Sequence, residues 1–500
     1  MNRIYGVLVA VVIAGTPGCG TRVERLPSAA PSASAQVTAP GASAGSAPVL
    51  AGSGTATAAP ETAAAPAAPV GSRSEAASGN SAPPGAVAPG AKPQPGAGTP
   101  AGSAGEAAKG PAPNGTGAGE PHTGPALVTT STVPGPKSAV LLASVGTYSG
   151  PAANSVKPNL DGAQIWVKWI NGKGGLNGHT VKLLVYDDAG DPARHRAQVQ
   201  EAIEQRHIQA FIANGEAITG SASSDYIASK RFPVIGADGG EEHAYSNPMY
   251  FIPHATGLAL DRSFLLSAAE QLVPKGKTKL AMVACVEAQA CTETSKIFAD
   301  EAAKQGFQLV YQARASIAQP DFTAECLSAR NAGADTFFIM LDGNSVTRLS
   351  AACARQGYRP QYATGASIVL DSFKEDPNLD GLVADSLVFP YVQTGTPATD
   401  EFHRAYKAEG GGLPLGVGMT QGWTDGKLLE VAAANLPEPP TSESILAGLW
   451  TVKNDTLGGL TYPLTYVRDQ PMARRVCWFN LAISNHAWVS PDHNELHCES

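Results

Sequence analysis

The chain of 500 residues carries a net charge of −8 and shows no basic stripe, so nucleic acid is excluded as a partner. Its composition divides it into a long stretch rich in Ala, Gly, Pro and Ser and roughly 360 residues of ordinary globular composition. The globular part is too long for one hydrophobic core, which predicts two lobes.

The N-terminus, residues 1–19, has the pattern of a targeting signal. Arg3 precedes an apolar run, Ile4–Ala14, that is too short to span a bilayer. Gly18 and Cys19 follow, and the pattern resembles a bacterial lipoprotein signal that is cut before Cys19, which is then acylated. The alternative is an ordinary secretory signal with an incidental cysteine. Both predict an extracytoplasmic protein, and the first adds a lipid anchor in the cell membrane, at the bacterial cell surface or in the periplasm.

Residues 20–136 are predicted to form a disordered tether. They consist mostly of small residues and proline, with few charges and few large apolar side chains. Such a segment cannot bury enough surface to offset the entropy lost on ordering. As a flexible chain it would span roughly 60 Å, so the globular part is expected to work at a distance from the membrane.

Beyond residue 137, short apolar runs alternate with amphipathic ones. Strands are expected at Ala139–Val145 and Thr180–Tyr186, and Asp191 is expected to cap the helix that follows the second strand. The alternation restarts after a helix at 258–273, with "KLAMVAC" as the next strand. Repeated β–α units predict an α/β fold with two doubly wound parallel-sheet lobes.

Four glycines lie within seven residues, at Gly172, Gly174, Gly175 and Gly178, a density typical of phosphate-binding loops. A phosphate loop follows a strand and opens a helix, because the helix N-terminus supplies the N–H groups. This stretch follows a predicted helix and precedes a predicted strand. The glycines are therefore expected to form a helix C-cap and a tight turn, where positive φ is needed.

The same region carries a multi-part motif. Ser149-Gly150-Pro151 follows the first strand, Gly162-Ala163 lies in the first helix, Gly174-Gly175-Leu176 forms the turn, and Asp187-Asp188 and Asp191-Pro192 follow the second strand. This pattern resembles the branched-chain amino acid ABC-transporter substrate-binding proteins, which are periplasmic binding proteins of type I, similar to the leucine/isoleucine/valine-binding protein.

The resemblance implies two α/β lobes joined by a three-crossover hinge, the type I periplasmic-binding-protein fold. Lobe 1 would comprise 137–257, with about 391–470 returning to it, and lobe 2 would comprise 258–390, with about 471–500 returning. It also implies a protein that closes on a small-molecule ligand and passes it to an ABC permease without catalysing a reaction.

In open α/β sheets ligands bind outside the carboxyl ends of the strands, and this rule selects the candidate site residues. The loops that carry the family's amino-acid clamp differ here, since the expected hydroxyls and the second-lobe acid are missing. Acidic side chains would instead make the cleft suit a cation or a polyol. The candidate ligand-binding residues are Tyr148, Ser149, Glu216, Ala217, Asp238, Gly239, Gly240, Glu287, Gln289, Asp342 and Ser367.

Two motifs could suggest chemistry. The Asp187-Asp188 pair could act in acid–base work or bind a metal, but its place at a strand end favours a structural role. The segment "HNELHC", His493–Cys498, could hold a metal between its two histidines, but a polar chain end is usually solvated. No nucleophile motif is found, so we expect no enzyme, no cofactor and no metal.

The other six cysteines are even in number, which favours disulfides outside the cytoplasm. The first two flank a short strand-to-helix loop, the next two lie on successive helices, and the last would tie the tail to the final strand. The alternative for the middle pair is two buried free thiols. The predicted disulfides are Cys285–Cys291, Cys326–Cys353 and Cys477–Cys498.

The leading hypothesis for function is a tethered solute-binding lipoprotein that captures a small polar molecule, amino acid-like or related, for an ABC importer. The alternative is a ligand-sensing receptor domain that acts with a separate membrane signalling partner. A surface or adhesion protein that uses the fold as a scaffold is a third hypothesis, and adjacent permease and ATPase genes would favour the first.

Overall fold

The computed structural model of the protein describes residues 125–128, 137–150 and 152–499. The predicted signal, Cys19, Pro151 and most of the predicted tether lie outside the described residues. Within these ranges, none of the helices combines the length and hydropathy that a bilayer span requires.

The strands form two large sheets and one small hairpin. In chain order, the described strands are β1 (Ala126–Val128), β2 (Lys137–Gly146), β3 (His179–Asp187), β4 (Ala210–Ile212), β5 (Val234–Ile235), β6 (Tyr250–Phe251), β7 (Lys279–Cys285), β8 (Gln308–Ala315), β9 (Thr336–Met340), β10 (Gln361–Thr364), β11 (Val383–Ser386), β12 (Lys453–Asp455), β13 (Leu464–Thr465), β14 (Cys477–Ser484), β15 (Ala487–Val489) and β16 (His497–Cys498).

The helices alternate with the strands over most of the chain, as the repeated β–α pattern predicts. In chain order, the described α-helices are α1 (Ala153–Gly172), α2 (Pro192–Glu204), α3 (Ser224–Lys230), α4 (Glu242–Ser246), α5 (Leu258–Leu272), α6 (Gln289–Glu301), α7 (Thr323–Asn331), α8 (Gly343–Arg355), α9 (Pro397–Glu409), α10 (Val417–Ala432) and α11 (Ser442–Leu449). Asp191 caps α2 as predicted, because its side chain accepts hydrogen bonds from Ala193 N and Arg194 N.

The first lobe is built on a sheet in the order β1–β3–β2–β4–β5–β6, in which β2 to β6 run parallel. The second lobe has the order β15–β14–β11–β10–β9–β7–β8, with β7 to β11 parallel and β14 antiparallel. Buried apolar runs such as "KLAMVAC" form the central strands because helices cover both faces of a parallel sheet.

The chain passes between the lobes three times. It leaves the first lobe after β6, returns after β11 so that α9 and α10 pack on α1, and re-enters the second lobe at β14. The connecting segments are 252–257, 387–396 and 466–476. This confirms the predicted fold of two α/β lobes joined by three crossovers.

One part of the predicted tether belongs to the first sheet, which corrects its C-terminal boundary. Ala126–Val128 pairs antiparallel with β3, with Leu127 opposite Leu184. The sequence "ALV" is a short β-prone run after a long stretch without one, and it extends an otherwise open sheet edge.

The glycine-rich turn between α1 and β3 has the conformation that the sequence predicts. Gly174, Gly175 and Gly178 all have positive φ, at 98°, 79° and 83°. A Cβ at Gly175 would lie 2.1 Å from the carbonyl oxygen of His179, so the turn also needs glycine for space.

Helices α1 and α10 pack closely because small residues lie between them. A Cβ at Gly422 of α10 would lie 1.8 Å from the carbonyl oxygen of Asn159, and one at Gly426 would lie 2.2 Å from Trp166 Cγ. From α1, a Cβ at Gly162 would lie 2.1 Å from the carbonyl oxygen of Met419. The two helices therefore approach at a distance that only glycine permits.

The structure joins the six described cysteines in the pairs that the sequence predicts. Cys285–Cys291 closes the loop between β7 and α6, and Cys326–Cys353 links the adjacent helices α7 and α8, with a Cα separation of 5.0 Å. Cys477–Cys498 links neighbouring residues of β14 and β16.

Candidate functional site: the cleft between the lobes

A small cavity lies between the lobes at the carboxyl ends of β4 and β5. Its volume is about 30 Å³, close to the space for a single water molecule. A larger solute can therefore enter only if the lobes move apart. The cavity is lined by polar groups from both lobes and the crossovers, among them Asn159, Asn214, Asp238, His254, Ser367 and Gln421.

A larger cavity of about 430 Å³ opens at the outer side of the same cleft. The first lobe contributes the loop after β4 and helices α3 and α4, and the second lobe contributes the loop between β7 and α6. Among the described residues, four acids and no lysine or arginine line it, so the cavity is electronegative. The lining acids are Asp225, Glu241, Glu242 and Glu287.

The structure brings together six of the predicted site residues. Three of them border the small cavity and three border the larger one. The small cavity is bordered by Asp238, Gly239 and Ser367, and the larger one by Ala217, Glu287 and Gln289.

The other predicted residues are placed differently. Ser149 is exposed in the loop after β2, and Gly240 packs against Ala290 of the second lobe. Asp342 is the N-cap of α8, where its carboxylate accepts hydrogen bonds from Asn344 N and Ser345 N.

Tyr148 braces the loop after β2 against the loop after β4. Its hydroxyl lies 2.7 Å from Ser144 Oγ and accepts a hydrogen bond from Gly215 N at 3.2 Å. Burial raises the pKa of this phenol far above its usual value, so the side chain stays neutral. Its hydroxyl is thus engaged within the first lobe.

Glu216 belongs to a buried chain of alternating carboxylates and imidazoles, which we call the ionic chain (Asp188, His195, Glu216 and His243). His195 Nδ1 lies 2.9 Å from Asp188 Oδ2, and its Nε2 lies 3.4 Å from Glu216 Oε2. The other Glu216 oxygen lies 3.4 Å from His243 Nε2. The first three side chains are fully buried, and the fourth reaches the wall of the larger cavity.

The charges within the ionic chain stabilise one another. Burial alone would lower the pKa of His195, but the carboxylates of Asp188 and Glu216 on either side raise it to about 9. Burial alone would raise the pKa of Glu216, but His195 and His243 hold it well below its usual range. Asp188, the second residue of the Asp pair, thus has the predicted structural role.

Glu287 and Gln289 are committed to local contacts although they line the larger cavity. The Glu287 carboxylate accepts hydrogen bonds from Ser316 Oγ at 2.6 Å and from Ile317 N at 3.1 Å. Gln289 Nε2 donates to Glu293 Oε1 at 2.6 Å. The Glu287 contacts hold the loop between β7 and α6 in place on the second lobe, and the Gln289 contact lies within α6.

The sequence interpretation missed Glu241, Glu242 and His243, which also line the larger cavity. They follow directly on the predicted loop Ala237–Gly240, and a signal for them existed. The loop after a parallel strand extends to the start of the next helix, here α4, and so includes the acids of "GGEEH".

The family model described as "periplasmic binding protein" matches residues 140–473. The match spans most of both lobes, the first two crossovers, most of the third and more than half of the chain. The chain belongs to the periplasmic binding protein family. Members of this family bind solutes and are not enzymes, and the family is extracytoplasmic.

Solved structures of periplasmic binding proteins share the fold at low sequence identity. A branched-chain amino acid ABC transporter protein from Thermus thermophilus with bound valine is 15% identical, with a TM-score of 0.63 over 73% of this chain and 98% of that chain. A possible leucine/isoleucine/valine-binding protein from Rhodopirellula baltica is 17% identical, with a TM-score of 0.61 over 72% and 98%.

A third similar structure is a solute-binding protein from Rhodopseudomonas palustris in complex with benzoate. It is 14% identical, with a TM-score of 0.58 over 71% of this chain and 95% of that chain. The curated proteins include no match to this chain. At these identities the solved structures show the fold alone.

Proposed function

We propose that this periplasmic binding protein is a solute-binding lipoprotein that captures a small polar molecule, amino acid-like or related, for an ABC importer. The observation that carries the proposal is the position of both cavities, between the lobes and outside the carboxyl ends of the strands. The similar Thermus thermophilus protein holds valine and belongs to an ABC transporter.

The charge of the larger cavity supports a solute with a positively charged group, such as an amine. Three of its four acids, Asp225, Glu242 and Glu287, are exposed, and the described part of its lining includes no lysine or arginine. Because the cavity is only partly shielded from water, each carboxylate would attract a cation by a modest amount. The proposed solute therefore carries an amino group, with or without a carboxylate.

Mass spectrometry of small molecules that copurify with the full-length protein tests the proposal first. A solute at a hundred times its Kd should stabilise the protein by about 2.7 kcal/mol, measured as a rise in Tm.

Asp225→Asn removes one exposed acid from the cavity wall and should weaken binding of an amine about twofold to fivefold.

Glu375→Gln is the matched control for that variant, because Glu375 is an exposed acid outside the cavity lining. It should bind the solute as tightly as the unmodified protein. Recovery of a purely anionic solute, or equal losses in both variants, would contradict the proposed amine.

The lipid anchor is proposed from the sequence, and Cys19 lies outside the described residues. Intact-mass analysis of membrane-extracted protein should show an N-terminus at Cys19 that carries a diacylglyceryl group. In Cys19→Ala the protein should leave the membrane fraction, since a lipid-anchored protein loses its hold without the acyl chains. An unmodified N-terminus at another residue would contradict the anchor.

A receptor that acts with a separate signalling partner is the second candidate. One similar structure, 17% identical with a TM-score of 0.58, is an extracellular ligand-binding receptor from Rhodopseudomonas palustris. Uptake of the identified solute by cells with and without the gene separates the two functions. Unchanged uptake in the deletion strain would favour the receptor.

A further inference from the structure

Helix α6, at the second-lobe side of the cleft, begins without a cap of its own. Its N-cap residue is Ala288, whose methyl group accepts no hydrogen bond, and its first turn contains no acid. The first N–H groups of a helix have no partner within the helix and carry a partial positive charge. An acceptor from another part of the chain is therefore favourable at this helix end.

Glu241 of the first lobe supplies that acceptor. Its Oε1 accepts a hydrogen bond from Ala290 N, the second residue of α6, at 3.1 Å. Only 6% of Glu241 is exposed, so the contact is largely shielded from water. The bond joins the loop after β5 in one lobe to the helix that follows β7 in the other.

Residues of both lobes around this hydrogen bond allow the close approach that it needs. A Cβ at Gly240 would lie 2.9 Å from Ala290 Cβ, so the first-lobe loop approaches α6 at a distance that requires glycine. On the second lobe, the disulfide Cys285–Cys291 closes the receiving loop, and Glu287 fixes it to the loop after β8. The N-terminal end of α6 is thus positioned to donate a hydrogen bond to an acceptor from the first lobe.

We propose that the contact between Glu241 and α6 is a latch that holds the two lobes together without a solute. A solute that enters the cleft must then compete with the latch or wait for it to open. The latch acts in the same cleft as the proposed function, but it is tested without any solute, so the failure of one proposal leaves the other standing.

The charges that face Glu241 make the latch sensitive to pH. Burial, followed by the nearby charge of Asp238, raises the pKa of Glu241 to about 7, although Ala290 N and His243 act in the opposite direction. Glu293 of α6 raises it further. Burial also raises the pKa of Asp261 of α5 to about 7, and the charges of Glu293, Glu241 and Asp238 add to this increase.

The sign of the pH effect follows from these shifts. When the lobes separate, Glu241 becomes solvated and its pKa returns toward the ordinary value of 4.5. The closed arrangement therefore binds more protons, so its advantage is complete below about pH 4.5 and is lost as the pH rises through 7. Asp238, which lines the small cavity between the lobes, contributes with the same sign, because burial raises its pKa as well.

Fluorescence energy transfer on the full-length protein without solute tests the latch. Dyes attached through unnatural amino acids at exposed Ser229 of α3 and Lys296 of α6 report the separation of the lobes and leave the disulfides intact. From pH 5 to pH 8 the closed-to-open ratio should fall on the order of tenfold to a hundredfold. Glu241→Ala should favour the open form at both pH values.

Two further variants keep the test independent of folding defects. Glu241→Gln retains the acceptor for Ala290 N without the charge, so it should stay closed and show a smaller pH effect. Glu375→Gln, at an exposed acid outside the lining of both cavities, should behave as the unmodified protein. The latch is refuted if Glu241→Ala is as closed as the unmodified protein at pH 5, or if Glu241→Gln keeps the full pH effect.

Discussion

Glu216→Ala should lower the free energy of unfolding by about 3–5 kcal/mol, the cost of breaking a buried ion pair from one side. The variant removes the central carboxylate of the ionic chain and leaves His243 without its charged partner. It also leaves a cavity in a fully buried position. Chemical denaturation, followed by circular dichroism, measures the loss.

The matched control is Glu242→Ala, which truncates an exposed glutamate of the same lobe and should change the stability by less than about 0.5 kcal/mol. Glu216→Gln removes the charge of the side chain but keeps its size and shape. It should lower the pKa of His195 from about 9, because one of the two flanking carboxylates is lost. Equal stabilities of Glu216→Ala and Glu242→Ala would show that the ionic chain contributes nothing.

Gly422→Val should destabilise the first lobe by about 3 kcal/mol or more. Overpacking of a fitted contact commonly costs about 1–3 kcal/mol, and here the added atoms meet the carbonyl oxygen of Asn159, which cannot rotate away. Valine also loses side-chain freedom within a helix, which adds to the cost. The midpoint of thermal unfolding measures the effect.

Gly172→Ala is the control for that variant, since a Cβ at the end of α1 meets no atom within 4 Å. It should stabilise the protein by about 0.5–1 kcal/mol, because alanine loses less backbone entropy in a helix than glycine. A valine variant as stable as the unmodified protein would mean that α1 and α10 can separate at little cost.

Features that depend on local sequence could be predicted. The strand β7 matches the apolar run "KLAMVAC" residue for residue, because a central strand of a parallel sheet is apolar on both faces. Asp191 followed by Pro192 marks the start of α2, since capping is a contact within one turn. The disulfide Cys285–Cys291 follows from a loop too short to place its ends far apart.

Features that join distant segments could not be predicted in this way. The members of the ionic chain come from the loops after β3 and β4 and from α2 and α4, and no spacing in the sequence relates them. Glu241 and Ala290 are 49 residues apart, and their contact depends on the relative position of two lobes. Of the four cavity acids, only Glu287 was therefore predicted. Glu241 and Glu242 follow directly on a predicted loop, and Asp225 lies in α3.

The close packing of α1 on α10 also constrains how the chain reaches its native state. Trp166 of α1 donates a hydrogen bond to Glu430 of α10, 264 residues later. Strands β7 to β11 of the second lobe lie between these partners and are contiguous, so their contacts close over much shorter loops. During vectorial synthesis or export, the second lobe can therefore begin to fold before α10 is available to pack on α1. At that stage the face of α1 that packs on α10 is uncovered, and chaperone binding or aggregation can compete with folding.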